Sequence, residues 1–218
     1  SEIADLAAEF DRSVTTHLAD GKPGVEISEF ADEQDADLIV VGRQGLTGLG
    51  KRLLGGVTEH VLHRSEVPVF VVPGEDHESE QRAGYSRVLV PTDGSENAEA
   101  ATPHGVAIAR HFDSVIHVLN VIDLQAAGGM FNAGGLDDAF VERLEARGRK
   151  AVDRVADEVG AAAADVDVEA AVERTTSYRG VAAGVQDYVK DTDIDVVAMS
   201  SHGRSNLERQ LIGSVAST

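Results

Sequence analysis

Two stretches of this 218-residue chain, GRQGLTGLGKRLLGGV (42–57) and SSHGRSNLERQLIGSV (200–215), are versions of one sequence. Gly45 and Gly203 stand 158 residues apart, as do Gly55 and Gly213. The same gapless offset pairs Val14 with Val172, Ile27 with Val185, Asp37 with Asp195, Leu54 with Ile212 and Val57 with Val215. Solenoid repeats run to roughly 20–50 residues, so a period this long is a duplicated domain. Whatever fold the chain adopts, it is expected to adopt it twice.

The copies are offset against the ends of the chain. The counterpart of Val88 would precede Ser1, and that of Val69 would follow Thr218. We therefore expect the C-terminal part of a first domain over residues 1–73 and a second domain over 85–218 that lacks its last strand, a fragment of a longer two-domain polypeptide. Between them GEDHESEQRAG (74–84) is acidic, glycine-flanked and without apolar periodicity, which reads as a linker.

Within each copy, strand-like and helix-like stretches alternate. DLIVV (37–41), PVFVV (68–72), RVLVP (87–91) and DVVAM (195–199) are near-continuous apolar runs, as expected of strands buried on both faces of a parallel sheet covered by helices. The second copy predicts strands near 87–92, 115–121, 166–172 and 195–199. Helices are expected at 95–111, 136–160 and 179–191, with another from about 213. The first predicts an opening helix, strands at 13–18, 37–41 and 68–72, and further helices at 24–35 and about 55–64. The fold class is α/β.

Charge narrows the partners. There are 38 acidic residues against 19 basic, a net charge of −19, and no cysteine. Binding to a nucleic-acid backbone needs a basic face, which this composition does not supply. Acidic residues spread along the chain read as a solvated surface of halophilic type, where dissolved salt screens the mutual repulsion. No apolar run approaches the roughly 20 residues of a membrane helix. Ser1 opens a polar amphipathic stretch, not a secretory signal, and a cytoplasmic protein is expected.

The first repeat contains a near-match to the P-loop pattern G-x-x-x-x-G-K-[ST], from Gly45 through Gly50 and Lys51. Arg52 stands where a hydroxyl would ligate magnesium, and the second copy has Glu208 and Arg209 in place of Gly50 and Lys51. A shared P-loop is excluded on those grounds. What both copies keep is a small residue after a strand, glycine three later, nine residues, then glycine and a small residue opening a helix. Glycine lets a ligand approach the backbone closely, and a helix N-terminus offers free N–H groups to an anion.

That spacing, with VLVPTDGSENAEAA (88–101) and VLNVID (118–123), resembles the universal stress protein family in its tandem form. The family pattern is G-x-x-G, nine residues, then G-[ST], with an aspartate after the first strand in a P-T-D-x-S context. The resemblance implies two flavodoxin-like or Rossmann-like domains, akin to the adenine nucleotide alpha hydrolases. It also implies domains that pair within a chain or between copies, and ATP in some members, with or without Mg2+. Carried onto this chain, it puts Pro91, Thr92 and Asp93 at the first strand's end, with Asp93 near adenine or ribose. Val121 would pack on adenine, Met199 and Ser200 would border it, and Gly203, Gly213, Ser214 and Val215 would hold phosphates. Val41, Gly42, Gly45, Gly55, Gly56 and Val57 form the weaker site of the first copy, where Gly56 lacks the hydroxyl of Ser214.

Several residues have simpler readings. Ser95 suits the cap of the following helix, and Asp93 fits a turn as well as a ligand contact. In the second copy Ser200 replaces the leading glycine, which costs about a kilocalorie per mole only if that position needs positive φ. His60 and His63, beside Glu59, lack a third ligand at metal-site spacing and read as a solvated helix face. His202 has no acid paired with it by sequence, and LQAAGGMFNAGG (124–135) is either a flap over the site or a long loop. No residue is assigned to catalysis: the chain lacks a P-loop lysine, an evident arginine finger and a second carboxylate to hold magnesium. PTDGSEN also lacks the S-G-G-x-D-S loop of adenylating enzymes. The expected function is ATP binding with a regulatory or stress-protective role, against a nucleotide-free scaffold that binds unknown protein partners.

Overall fold

The computed structural model describes residues 14–43, 54–73, 84–128, 137–201 and 215–216. The chain forms two compact units, the first holding the elements up to residue 73 and the second those from residue 84.

In the first unit, α1 (Pro23–Glu33) leads to β1 (Ile39–Gly42), and α2 (Gly56–Arg64) leads to β2 (Val69–Val72). Pro23 opens α1, where its missing N–H has no helical partner to lose. β1 and β2 pair in parallel, Ile39 opposite Val69 and Val41 opposite Val71. Ala31, Ile39 and Val61 form the core, with Ile27 and Val69 packed on it. The helices approach closely at Gly24, where a Cβ would lie 2.7 Å from Cβ of His60.

The strand expected at 13–18 does not form: residues 14–20 carry no regular structure, and Leu18 is 93% exposed. Under the 158-residue offset Val14 corresponds to Val172, which lies in a strand paired to its neighbour. Residues 14–20 pair with no strand among the described residues, and a strand without a partner leaves its backbone groups to water. His17 stacks instead on Phe30 of α1, ring centroids 4.5 Å apart.

The second unit runs β3 (Arg87–Pro91), α3 (Glu96–Glu99), α4 (Thr102–Phe112), β4 (Val115–Asp123), α5 (Leu124–Gly128), α6 (Asp138–Ala162), β5 (Val168–Thr175), α7 (Gly180–Asp191) and β6 (Val196–Val197). All four strands are parallel, in the order β5-β4-β3-β6. Numbered from β3 this is 3-2-1-4, the Rossmann order and not the flavodoxin one. Val90, Val118, Val152, Val155 and Val159 fill the layer beneath α4 and α6. Leu89, Leu119 and Val185 fill the opposite layer beneath α7. Val88, Leu89 and Val90 are fully buried, as a central parallel strand requires, each side chain contributing roughly 1.5–3 kcal/mol.

The helix expected at 95–111 is two helices, broken at Ala100 and Ala101. The break coincides with Pro103, which has no N–H to donate to the preceding turn and so interrupts the helical hydrogen bonds there, while fitting the first turn of α4. β6 is shorter than the expected 195–199, although Ala198 N–H still donates to Leu89 C=O at 2.8 Å. Of the helix expected from about 213 only Val215 and Ala216 are described, and they form a turn; all of the linker except Gly84 lies outside the described residues.

Candidate functional site

In the second unit the chain proceeds from β3 outward through β4 to β5, then crosses back to place β6 on the other side of β3. The strand order thus reverses between β3 and β6, and ligands of open α/β sheets bind outside the carboxyl ends of strands at such a reversal. Pro91, Thr92 and Asp93 stand on one side of it, and Met199 and Ser200 follow the adjoining strand. Residues more than a hundred positions apart thus converge. Val121 and Val215 join the same layer, packed with Leu89, Leu119 and Val185. Val121 lies close to α7, where a Cβ on Gly184 would fall 2.5 Å from its Cγ1.

The loop after β3 is built by an unusually complete set of bonds. Thr92, only 5% exposed, donates its N–H to Leu119 C=O at 2.8 Å, and its carbonyl accepts from the Asn120 amide at 2.8 Å. Its hydroxyl accepts the Gly94 N–H at 2.9 Å, and Gly94 takes the left-handed backbone, φ +79°, that glycine tolerates best. Asp93 Oδ1 accepts from both the N–H and the hydroxyl of Ser95, at 2.9 and 2.6 Å. Ser95 Oγ in turn accepts the Ala98 N–H at 3.2 Å and caps α3, as its sequence position suggests. Arg154 of α6 donates to the Gly94 carbonyl at 3.1 Å and pairs with Glu99. Its partner carboxylate is the main reason its pKa lies above the ordinary guanidinium value.

Neither Gly42 nor Ser200 is among the residues with positive φ. The leading position of the glycine motif therefore needs no left-handed backbone, and the strain cost of serine there does not arise. Gly203, Gly213 and Ser214 lie outside the described residues, as do Gly45 and His202.

In the first unit the base of the corresponding loop is closed. Gly55 N–H donates to Arg43 C=O at 2.8 Å, and the Thr58 hydroxyl donates to Gly42 C=O at 2.7 Å. Gly55 is the N-cap of α2; Gly56 and Val57 form its exposed first turn, and Val41 is partly buried one residue before Gly42. Sequence comparison missed the anchor at Thr58, whose counterpart 158 residues on is Ala216. The repeat itself was the available signal: one copy has a hydroxyl where the other has methyl.

His63 lies 3.9 Å from Glu59, and His60 is exposed on the same helix. Among the described residues no group of three or more His, Asp or Glu side chains is placed to hold a metal, and no helix is long and apolar enough to cross a membrane. Of residues 124–135, Leu124–Gly128 form a short helix capped by Asp123, whose Oδ1 accepts the Gln125 and Ala126 N–H groups at 2.9 Å. The remainder lies outside the described residues.

Comparison with known proteins supplies relatives for both copies. A universal stress protein of Mycolicibacterium smegmatis is 33% identical over 221 residues, covering 99% of this chain and 68% of that protein. One from Methanocaldococcus jannaschii is 42% identical over 71 residues, 33% of this chain, and the match spans about two fifths of its length, 42%. Among solved structures, the universal stress protein UspA from Lactobacillus plantarum aligns with a TM-score of 0.52 at 25% identity, covering 62% of this chain and 90% of that one. The sequence model of the universal stress protein family matches residues 2–73 and again 84–218. With that pattern matched on both sides of the linker, the chain belongs to the universal stress protein family and carries its domain twice in tandem.

Proposed function

We propose that the second unit binds an adenine nucleotide, ATP, at the carboxyl edge of its sheet, and that occupancy regulates how the domains pair within or between chains. The observation that carries this reading is the strand reversal that sets Asp93 and its anchored loop beside Met199 and Ser200. The residues present fit such a ligand. The loop backbone is fixed before any ligand arrives, Ser200 needs no strained backbone, and Val121 is a partly buried apolar side chain suited to pack on a base. Gly203, Gly213, Ser214 and Val215 would hold the phosphates, and Mg2+ would accompany ATP from solution. The first copy is the weaker binder because Gly56 has no hydroxyl to donate.

Catalysis is not required by this proposal, and the chain provides no P-loop lysine to drive it. A regulatory protein of the cytoplasm, paired with itself or with protein partners, is the role we assign.

Mass spectrometry of nucleotide co-purified with the full chain, followed by ATP titration of wild type, Asp93→Ala and Ser214→Ala, tests the reading. Wild type is expected to bind and both variants to bind at least tenfold more weakly, the loss of about one charge-assisted hydrogen bond. No binding at millimolar ATP in high salt rejects the function. Equal binding by all three rejects the site.

A second reading has its own observation. Asp93 Oδ1 already serves Ser95, which is sufficient reason for an aspartate in the turn. On that reading the motif survives as architecture in a nucleotide-free scaffold, and the same titration separates the two.

A further inference from the structure

Three groups from other elements fix the loop that carries Asp93. Leu119 and Asn120 of β4 hold Thr92 from below, through its N–H and its carbonyl. Both are strand residues in the sheet's interior, and they restrain only the start of the loop. Beyond Asp93 the restraint is different in kind: the Arg154 guanidinium donates to the Gly94 carbonyl at 3.1 Å.

Arg154 is well placed for such a task. Val152, Val155 and Val159 bury one side of α6 against the sheet, so the helix that carries Arg154 is fixed by the core. Glu99 of α3, its side chain only 14% exposed, pairs with the same guanidinium nitrogen and orients it. Glu96 and Glu158 also act on it, which makes Arg154 the cation set into an acidic corner of a chain of net charge −19.

We propose that Arg154 is a positioning residue of the nucleotide site: oriented by Glu99, it fixes the Gly94 carbonyl and so holds the Asp93 loop in its binding conformation. This rests on the nucleotide reading above for its consequence, but the hold on the loop is a property of the protein alone. Arg154 does not contact the ligand. It acts through the backbone, in concert with the Thr92 and Ser95 bonds on either side of Asp93.

Amide exchange by NMR and ATP titration, both on the full chain, decide the matter. The Gly94 and Ser95 N–H groups are each hydrogen-bonded inside the loop, so their exchange reports its order directly. Without nucleotide, Arg154→Ala is expected to speed their exchange about tenfold while the core amides of Val118 and Val155 are unchanged. Arg154→Lys, which keeps the charge and one donor, should recover part of the protection. With ATP, Arg154→Ala should bind about tenfold more weakly than wild type, and Arg154→Lys should fall between them. Unchanged loop exchange in Arg154→Ala overturns the proposal. So does faster exchange throughout the core, which marks Arg154 as a support of the fold and not of the loop. A loosened loop with undiminished ATP affinity overturns its role in binding. Failure of wild type to bind ATP rejects the nucleotide reading alone, since the exchange comparison still decides whether Arg154 holds the loop.

Discussion

The side-chain amide of Asn120 donates to the carbonyl of Thr92 at 2.8 Å, in space that Gly148 of α6 leaves for it. A Cβ on Gly148 would lie 2.5 Å from Asn120 Oδ1 and 3.1 Å from Val172 Cγ1. A glycine in the middle of a long helix, ordinarily a weakness, is here what allows helix and sheet to close over a buried amide.

Two glycines of α6 should consequently respond in opposite directions to the same substitution. Gly148→Ala gains about 1 kcal/mol of helix propensity but forces overpacking that costs roughly 1–3 kcal/mol, and disturbs a buried hydrogen bond worth about 1 more. Net destabilisation of about 1–3 kcal/mol in urea unfolding is expected. Gly160→Ala meets nothing within 4 Å and should stabilise by about 0.5–1 kcal/mol. A stabilised Gly148→Ala would contradict the close contact.

His117 should make stability depend on pH. It is 4% exposed in β4, with Nδ1 3.0 Å from the Tyr188 hydroxyl of α7 and 3.6 Å from Glu169 of β5. Burial pushes its pKa below the ordinary 6.5; Glu169 partly offsets this, and Arg87 of β3 adds to it. The unfolded chain therefore binds the proton more readily than the folded one. Stability is complete above 6.5 and declines as pH falls from there through the depressed folded value. Urea midpoints measured from roughly pH 8 to pH 5 should show that decline in wild type and a shallower one in His117→Gln. Equal slopes would place the acid sensitivity elsewhere.

The missing hydroxyl of the first copy is not imposed by the backbone. A Cβ on Gly56 meets nothing within 4 Å, and its φ is not positive. Gly56→Ser should leave thermal stability unchanged or raise it by about 0.5 kcal/mol, since serine is the better helix residue. A loss of more than about 1 kcal/mol would show that glycine is needed there after all.

Much of the fold was legible because apolar periodicity is a local property. The runs at 37–41, 68–72 and 87–91 formed strands close to those limits, but only β3 is buried on both faces; in the first unit's two-stranded sheet Val40 stays 63% exposed, because no further strand or helix covers that face among the described residues. The stretch at 13–18 shows where such inference stops. Its pattern suits a strand, but pairing depends on a second segment, and residues 14–20 have none in regular structure. Pro103 was a readable break in the helix expected at 95–111 that apolar spacing alone concealed.

The site divides along the same line. Ser95 as a cap and the glycine spacing of the two repeats can be read from neighbours in sequence. Arg154 on Gly94, Asn120 beneath Thr92 and Thr58 on Gly42 cannot, because each joins groups from different elements.

By itself, then, the sequence determined a duplicated α/β unit with parallel strands and a glycine-spaced loop after one strand of each copy. Those features follow from residue types at short, fixed spacings. Only the tertiary structure decided the strand order, its reversal between β3 and β6, and the side chains that reach across from other elements to hold the Asp93 loop. Such contacts depend on distances between segments brought together by packing, and the linear order of residues does not contain those distances.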